Sequence, residues 1–374
     1  LHYLDNSATT MVSPEAAKKA LEMMTEVFAN PSSLHAFGIR AEAEVEAARK
    51  AVAAQLGCSD EEILFTSGGT EANNLALFGV AEARKRRCRK IVVSSVEHSS
   101  VIEAAKKLEN DGFTVVYVAP RADGIIHPED VAAAVGDDTS LVSVMRVNNE
   151  TGAVMPVADI FEEVRDVNPD VICHTDAVQA FGKLECKVKK LGADLLTVSA
   201  HKVHAPKGCG ALYIKKGVRL VPRQYGGEQQ KKRRPGTEAA QTIAAFGVAC
   251  EQFDIRANAA YVRQLNDYAK EKLLAIEGVV LNSPADALPY VLNITAGRVR
   301  SETMLHHLEK REIYLSSGSA CAKGKPSHVL SAMGYDKDRA DSALRVSFSK
   351  YNTKEDIDAL AEGIAIGLRT LAHA

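Results

Sequence analysis

The feature that most constrains this chain is a recurring break: a short apolar run stops at once against small polar and ionisable residues. It is clearest at Asp194–Lys202, where Leu195, Leu196, Thr197 and Val198 give way to Ser199, Ala200, His201 and Lys202. Such a run reads as a buried strand, and its carboxyl end is where an open α/β sheet presents its ligand crevice. Upstream, Val171, Ile172 and Cys173 run in the same manner into His174, Thr175 and Asp176, with Gln179 just beyond. An amine and a carboxylate then share one sheet edge. An amine held in a cleft can form a Schiff base. A carboxylate facing a pyridine nitrogen keeps that ring protonated, so the pair suits pyridoxal phosphate acting as an electron sink. For Lys202 taken alone, the competing reading is a solvated strand-end lysine.

At 374 residues the chain exceeds what one core usually serves, so a large and a smaller domain are expected. The net charge of −2 argues against an overall polyanion-binding role, and no direct nucleic-acid binding is expected. No apolar run approaches bilayer length and the start does not read as a signal peptide, so a cytoplasmic protein away from membranes is expected. The seven cysteines, at 58, 88, 173, 186, 209, 250 and 321, are odd in number and lack close pairing, fitting neither a disulfide framework nor a metal knuckle. They read as free thiols, and no metal site is expected.

Taken in order, Ser13-Pro14-Glu15 opens a helix expected to run to about Phe28. An Asn30-Pro31-Ser32-Ser33 loop and an alanine- and glutamate-rich helix to Leu56 follow. Ile63–Thr66 is a strand that breaks into Ser67-Gly68-Gly69-Thr70-Glu71 before a helix, an order that makes a phosphate cup or, alternatively, a tight turn. Arg84–Lys90 holds six basic residues in seven; at the end of a helix these read as a solvated face complementing the dipole. Ile91-Val92-Val93 ends in a further polar set that includes Glu97 and His98, and Leu141–Val144 leads to Asn148-Asn149. The alternation of strands and helices predicts a mostly parallel sheet. From about Ala257 the pattern changes to a compact α+β unit. The expected division is therefore 14–256 for a large cofactor-binding domain, and 1–13 with 257–374 for a small domain that carries the thiol loop.

Cys321 stands apart from the other cysteines. It lies in a loop of small residues between Gly318 and Gly324, with Lys323 and Lys325 able to stabilise a thiolate. Cys173 and Cys209 adjoin apolar strands, where a thiol is usually inert packing. Arg345 sits inside the strand Leu344–Ser349 and needs a partner; its planar fork suits a carboxylate, supplied either by a ligand or by an internal ion pair.

The words Asp176-Ala177-Val178-Gln179 and Ser199-Ala200-His201-Lys202 resemble those of class V aminotransferases, and Ser317-Gly318-Ser319-Ala320-Cys321 resembles the catalytic loop of their cysteine desulfurase branch. The opening Tyr3–Thr10 and Asn30–Ser33 are similar to that branch as well, and the motifs stand in the family's order. The resemblance implies the aspartate aminotransferase-like fold of pyridoxal phosphate-dependent transferases, α/β in class. It further implies conversion of L-cysteine to L-alanine, with the sulfur carried as a persulfide on Cys321 to an iron–sulfur scaffold or a tRNA-thiolating enzyme. By the same resemblance Lys202 holds the cofactor and acts as base, while Asp176 faces the ring nitrogen and Gln179 the ring oxygen. His98 stacks on the ring and handles protons, and Asn149 faces cofactor and substrate. Gly69, Thr70, Ser199 and His201 hold the phosphate, and Arg345 holds the substrate carboxylate. Thr237, in the 226–238 connection, would reach the neighbouring subunit's phosphate in a homodimer with shared sites. Tyr225 and Pro235 depart from the family's more usual glycine and serine there, and the stretch from Cys321 to Pro326 is shorter than in housekeeping desulfurases. The nearest alternative on this scaffold is a selenocysteine or cystine lyase that does not need Cys321.

Overall fold

In the computed structural model, residues 1–317 and 327–371 are described; Cys321 and most of its glycine-rich loop lie outside them. The core is a seven-stranded sheet in the order Ile63–Thr66, Gly210–Ile214, Leu195–Ser199, Ile172–Asp176, Thr139–Ser143, Lys90–Ser94, Thr114–Val118. Gly210–Ile214 pairs antiparallel with both of its neighbours, and the remaining pairings are parallel. The expected mostly parallel α/β sheet is thus present. Parallel pairing has one consequence for chemistry: the carboxyl ends of strands distant in sequence reach the same edge.

Both faces of the sheet are covered, and the strands alternate between two cores. Leu64, Ile91, Val93, Leu141, Leu195 and Leu212 pack on one side with the helices Gly69–Arg84 and Ser99–Asn110. Phe65, Val92, Val142, Leu196 and Ala211 face the other side, against Ala36–Leu56, Val157–Val167 and Ala240–Glu251. The burial explains why these strands read as near-continuous apolar runs.

A four-stranded antiparallel sheet, Ser316–Ser317, Ala343–Ser347, Val291–Ala296, Val279–Leu281, forms a second layer system with the helices Ile255–Leu274 and Lys354–Thr370. The beginning of the chain joins it. His2–Tyr3 pairs in parallel with Ile313–Tyr314, and Asp5 bridges Ser347.

Two expectations change in detail. The first helix spans Pro14–Thr25 rather than continuing to Phe28, because Val27 N–H bonds back to the Glu22 carbonyl and Pro31 bars a helical conformation at Asn30. The strand expected to end at Cys173 runs through Asp176. Its polar residues stay buried because His174 finds the hydroxyls of Ser143 and Thr197 on adjacent strands, at 2.8 and 3.1 Å.

Gly247 marks a close helix crossing: a Cβ there would lie 2.6 Å from Ala48 Cα and 2.7 Å from Ala48 Cβ. Gly247→Ala should therefore overpack the contact between Ala36–Leu56 and Ala240–Glu251 and cost roughly 1–3 kcal/mol. Urea unfolding of the variant against wild type measures this, and an unchanged midpoint would contradict the contact.

Candidate active site

A cavity of about 400 Å³ opens at the carboxyl edge of the seven-stranded sheet. Lys202 lies one short turn beyond Ser199, and Asp176 ends the adjacent strand, its register partner being Thr197. Gly69 and Thr70 enter from the start of their helix, and His98 from the turn after Lys90–Ser94. Asn149, Gln179, Ser199, His201 and Arg345 complete the set of expected residues that line this cavity. Thr237 is exposed and does not line its own chain's cavity. Its loop is tethered nearby, where Arg234 pairs with Glu71 in the first turn of the Gly69–Arg84 helix at 2.9 Å.

The amine of Lys202 donates to the carbonyl oxygens of Ser7 and Ala8 at 2.6 and 2.8 Å. The opening stretch of the chain is therefore a shelf for the lysine. The shelf is itself held in place, since Thr10 N–H and Oγ1 both bond the His201 carbonyl, and Gln179 Nε2 donates to the Ser7 carbonyl at 3.0 Å. Behind Gln179, buried Lys183 donates to its Oε1 at 3.1 Å; burial, and after it the nearby Lys202 and Arg345, bring the Lys183 ammonium down to about 7.

Asp176 accepts from Val178 N–H at 2.9 Å and from Asn73 Nδ2 at 2.7 Å. Arg345 is 2% exposed and bonds Asp5 at 2.9 Å and the Asn149 carbonyl at 3.1 Å. The internal ion pair foreseen as one alternative for Arg345 thus exists, and the same guanidinium also lines the cavity. Burial nonetheless raises the Asp5 carboxyl above its ordinary range, outweighing the Arg345 charge. Burial likewise keeps His201 neutral, bringing it down to about 4, and lowers His98.

These residues fit pyridoxal phosphate. Ser199 Oγ is buried with no partner among the described residues, and it stands beside a helix start whose N-cap, Gly68, offers no side-chain bond. A hydroxyl and unpaired first-turn amides at a helix N-terminus are an anion cradle. A carboxylate and an amine lie on adjoining strands of the same cavity. When bound, the cofactor would be held by Gly69, Thr70, Ser199 and His201 at its phosphate and by Asp176 and Lys202 at its ring.

Several site residues escaped sequence reasoning: Asp5, Ser7 and Ala8 beneath Lys202 and Arg345, together with Asn73, Ser100, Glu150 and His328. Asn73 had a usable signal, because it lies four residues after Gly69 and so on the same helix face. Glu150 had none; it is 2% exposed, burial raises its carboxyl to about 7, and it accepts a bond from Ser327 Oγ.

The class-V aminotransferase family model matches residues 2–360. The chain belongs to that family. Its members are pyridoxal phosphate enzymes, in agreement with the cradle described above. Among relatives, a cysteine desulfurase IscS of Methanosarcina thermophila is 41% identical over 365 residues, covering 96% of this chain and 90% of that one. Among solved structures, a NifS-like protein superposes with a TM-score of 0.94 at 36% identity over 99% of both chains. A structure of SspA in complex with cysteine gives 0.84 at 34% identity, over 94% of this chain and all of that one. The expected transferase fold is thereby established.

Glu97 next to His98 supplies a test of the site's electrostatics. It is fully buried; Oε1 accepts from Ser94 and from Met145 N–H, and burial raises its carboxyl to about 8. The folded protein therefore holds a proton that the unfolded chain releases near 4.5, and this contribution to stability falls as pH rises from about 4.5 to 8. Glu97→Gln should remove that fall, so that urea midpoints at pH 5, 6.5 and 8 move progressively in favour of the variant. A difference constant with pH, or one growing towards acid, would contradict a protonated Glu97.

Proposed function

We propose that this chain is a cysteine desulfurase that converts L-cysteine to L-alanine and retains the sulfur as a persulfide on Cys321. The observation that carries the reading is the attachment of the thiol segment to the cavity. Ser316 stands opposite Arg345 in the four-stranded sheet, and the Ser-Gly-Ser-Ala-Cys word begins at the next residue. On the far side Ser327 bonds Glu150, which lines the cavity. Both ends of the segment holding Cys321 are thus pinned at the rim where an amine and a buried guanidinium already face one space.

The other six cysteines do not compete for the role. Cys88, Cys173, Cys186, Cys209 and Cys250 are buried; burial pushes Cys173, Cys186 and Cys209 up to about 12 and raises Cys250. Half-buried Cys58 is also held near 12, by burial and then by Glu62 and Asp60. Thiols held protonated are poor nucleophiles.

In this reading Arg345 orients the substrate carboxylate and Asn149 faces the substrate beside it. Lys202 would take the α-proton, and Asp176 would keep the ring nitrogen of a bound cofactor protonated, with Gln179 beside the ring. The cofactor supplies a sink for the electron pair left at the α-carbon. The Cys321 thiolate then attacks the substrate sulfur; the carbon–sulfur bond breaks, its electrons stay with the carbon skeleton, and protonation gives alanine. His98 serves at this stage beside the bound substrate. A positioned base such as Lys202 contributes around 10² to 10⁴ in rate.

The assembly proposed is a homodimer, with Thr237 reaching the neighbouring subunit's phosphate site. The exposure of Thr237 and of Tyr225 in the connecting loop supports this, as do the exposed Phe28, Leu34 and Ile39. Residues 14–256 form the cofactor-binding domain, and 1–13 with 257–374 the domain bearing the thiol, a division supported by the separate seven- and four-stranded sheets. The persulfide passes, in the cytoplasm, to an iron–sulfur scaffold or a tRNA-thiolating enzyme. Among the described residues no helix is long and apolar enough to cross a membrane.

Sulfide and alanine released from L-cysteine in the presence of reductant test the reading. Wild type should give equimolar products, and Cys321→Ala should retain the yellow colour but lose at least 10²-fold in sulfide release. Lys202→Ala should lose the covalently held colour. Sulfide release surviving in Cys321→Ala would instead indicate a lyase that eliminates without the thiol, and a yellow wild type inert to cysteine would sink the proposal.

A further inference from the structure

We propose that Asn73 and Ser100 are positioning residues that hold His98 in one neutral tautomer, with Nδ1 bare and the proton on Nε2. The argument is one of hydrogen-bond direction, and it starts at Asp176. An ionised carboxylate only accepts, so the Asn73 atom 2.7 Å from Asp176 Oδ2 is the amide nitrogen and not its oxygen. That same nitrogen lies 2.9 Å from Ser100 Oγ, which must accept from it. The Ser100 hydroxyl proton is then directed to its other neighbour, His98 Nδ1, at 2.8 Å. A second donor converges on the same atom, because Ser100 N–H lies 3.2 Å from Nδ1 as His98 caps the Ser99–Asn110 helix.

Two donors aimed at Nδ1 leave no room for a proton there. An imidazolium would set N–H against N–H and undo the helix cap. The charged groups around the ring act in both directions. Burial opposes protonation most, Asp176 favours it, and Lys202, His328 and Arg345 oppose it further. Asn73 is 1% exposed and Ser100 7%, so water does not readily replace either donor.

The consequence for catalysis rests on the desulfurase reading. A histidine so held is a fixed donor through Nε2–H, and it does not cycle through a doubly protonated state. The α-proton transfer then falls to Lys202 alone, and Asp176 is coupled to His98 through two side chains as well as through its charge.

The test uses holoenzyme labelled with ¹⁵N-histidine. Long-range ¹H–¹⁵N spectra report which ring nitrogen is protonated, and His98→Gln identifies the resonance among the eleven histidines. Wild type should show an unprotonated Nδ1 and a protonated Nε2 from pH 8 down to 6. Ser100→Ala removes one donor to the neutral ring and should raise the titration of His98 by about 0.4–1 pH unit, the equivalent of one hydrogen bond. Ser100→Thr restores the hydroxyl and should restore the wild-type titration, a rescue that general destabilisation would not produce. Asn73→Ala should shift His98 in the same direction. A proton on Nδ1 in wild type, or a titration unmoved in both Ser100→Ala and Asn73→Ala, overturns the inference. A wild type with bare Nδ1 that releases no sulfide from cysteine upholds the tautomer and refutes the desulfurase reading.

Discussion

The site depends on one contact, between the buried guanidinium of Arg345 and the partly buried carboxylate of Asp5. It joins three stretches distant in sequence: the opening of the chain, the four-stranded sheet, and, through the Asn149 carbonyl, the loop after Thr139–Ser143. Burial raises the Asp5 carboxyl even beside this cation, so the pair is a poor candidate for a large net gain in stability. Its value is geometric. With Asp5 placed, Ser7 and Ala8 follow within the same short stretch and present their carbonyls to Lys202.

Lys202 and Arg345 face the cavity, and the carboxylates of Asp176 and, against Arg345, of Asp5 stand beside them. The histidines nearby, His201 and His98, are kept neutral mainly by burial, which prevents further accumulation of charge. A pocket of this kind favours anionic groups such as a phosphate and an amino acid carboxylate, and weakly hydrated walls strengthen each interaction. Glu97 and Glu150, both raised by burial, border the site and carry less negative charge near neutral pH than ordinary carboxylates.

The strand ends were legible because they carry a local signal: an apolar run ending in Lys202, Asp176 or His98 announces both a strand and a crevice. The Gly68-Gly69-Thr70 turn was legible for the same reason, as strand, glycine and helix follow one another directly. Asn73, Ser100 and Glu150 were not, because each sits where a polar residue also serves ordinary helix or turn roles. Only their partners, Asp176, His98 and Ser327, reveal the function. The role of Ser7 and Ala8 was hidden more deeply, since the atoms that matter are backbone carbonyls and any side chain would supply them.

The sequence by itself determined the α/β alternation, the carboxyl-edge placement of Lys202 and Asp176, the strand–glycine–helix turn at Gly69, and the small-residue, lysine-flanked setting that sets Cys321 apart from the other six cysteines. These depend on contiguous residues, whose polarity and propensity act locally. Tertiary structure alone decided that Arg345 pairs with Asp5, that the opening residues form the shelf for Lys202, and that Asn73 and Ser100 link Asp176 to His98. Apart from the Ser100–His98 bond, those contacts join positions from 27 to 340 residues apart. No periodicity or spacing encodes such a meeting; it arises only when parallel strands bring their carboxyl ends to one edge and a second sheet closes over them.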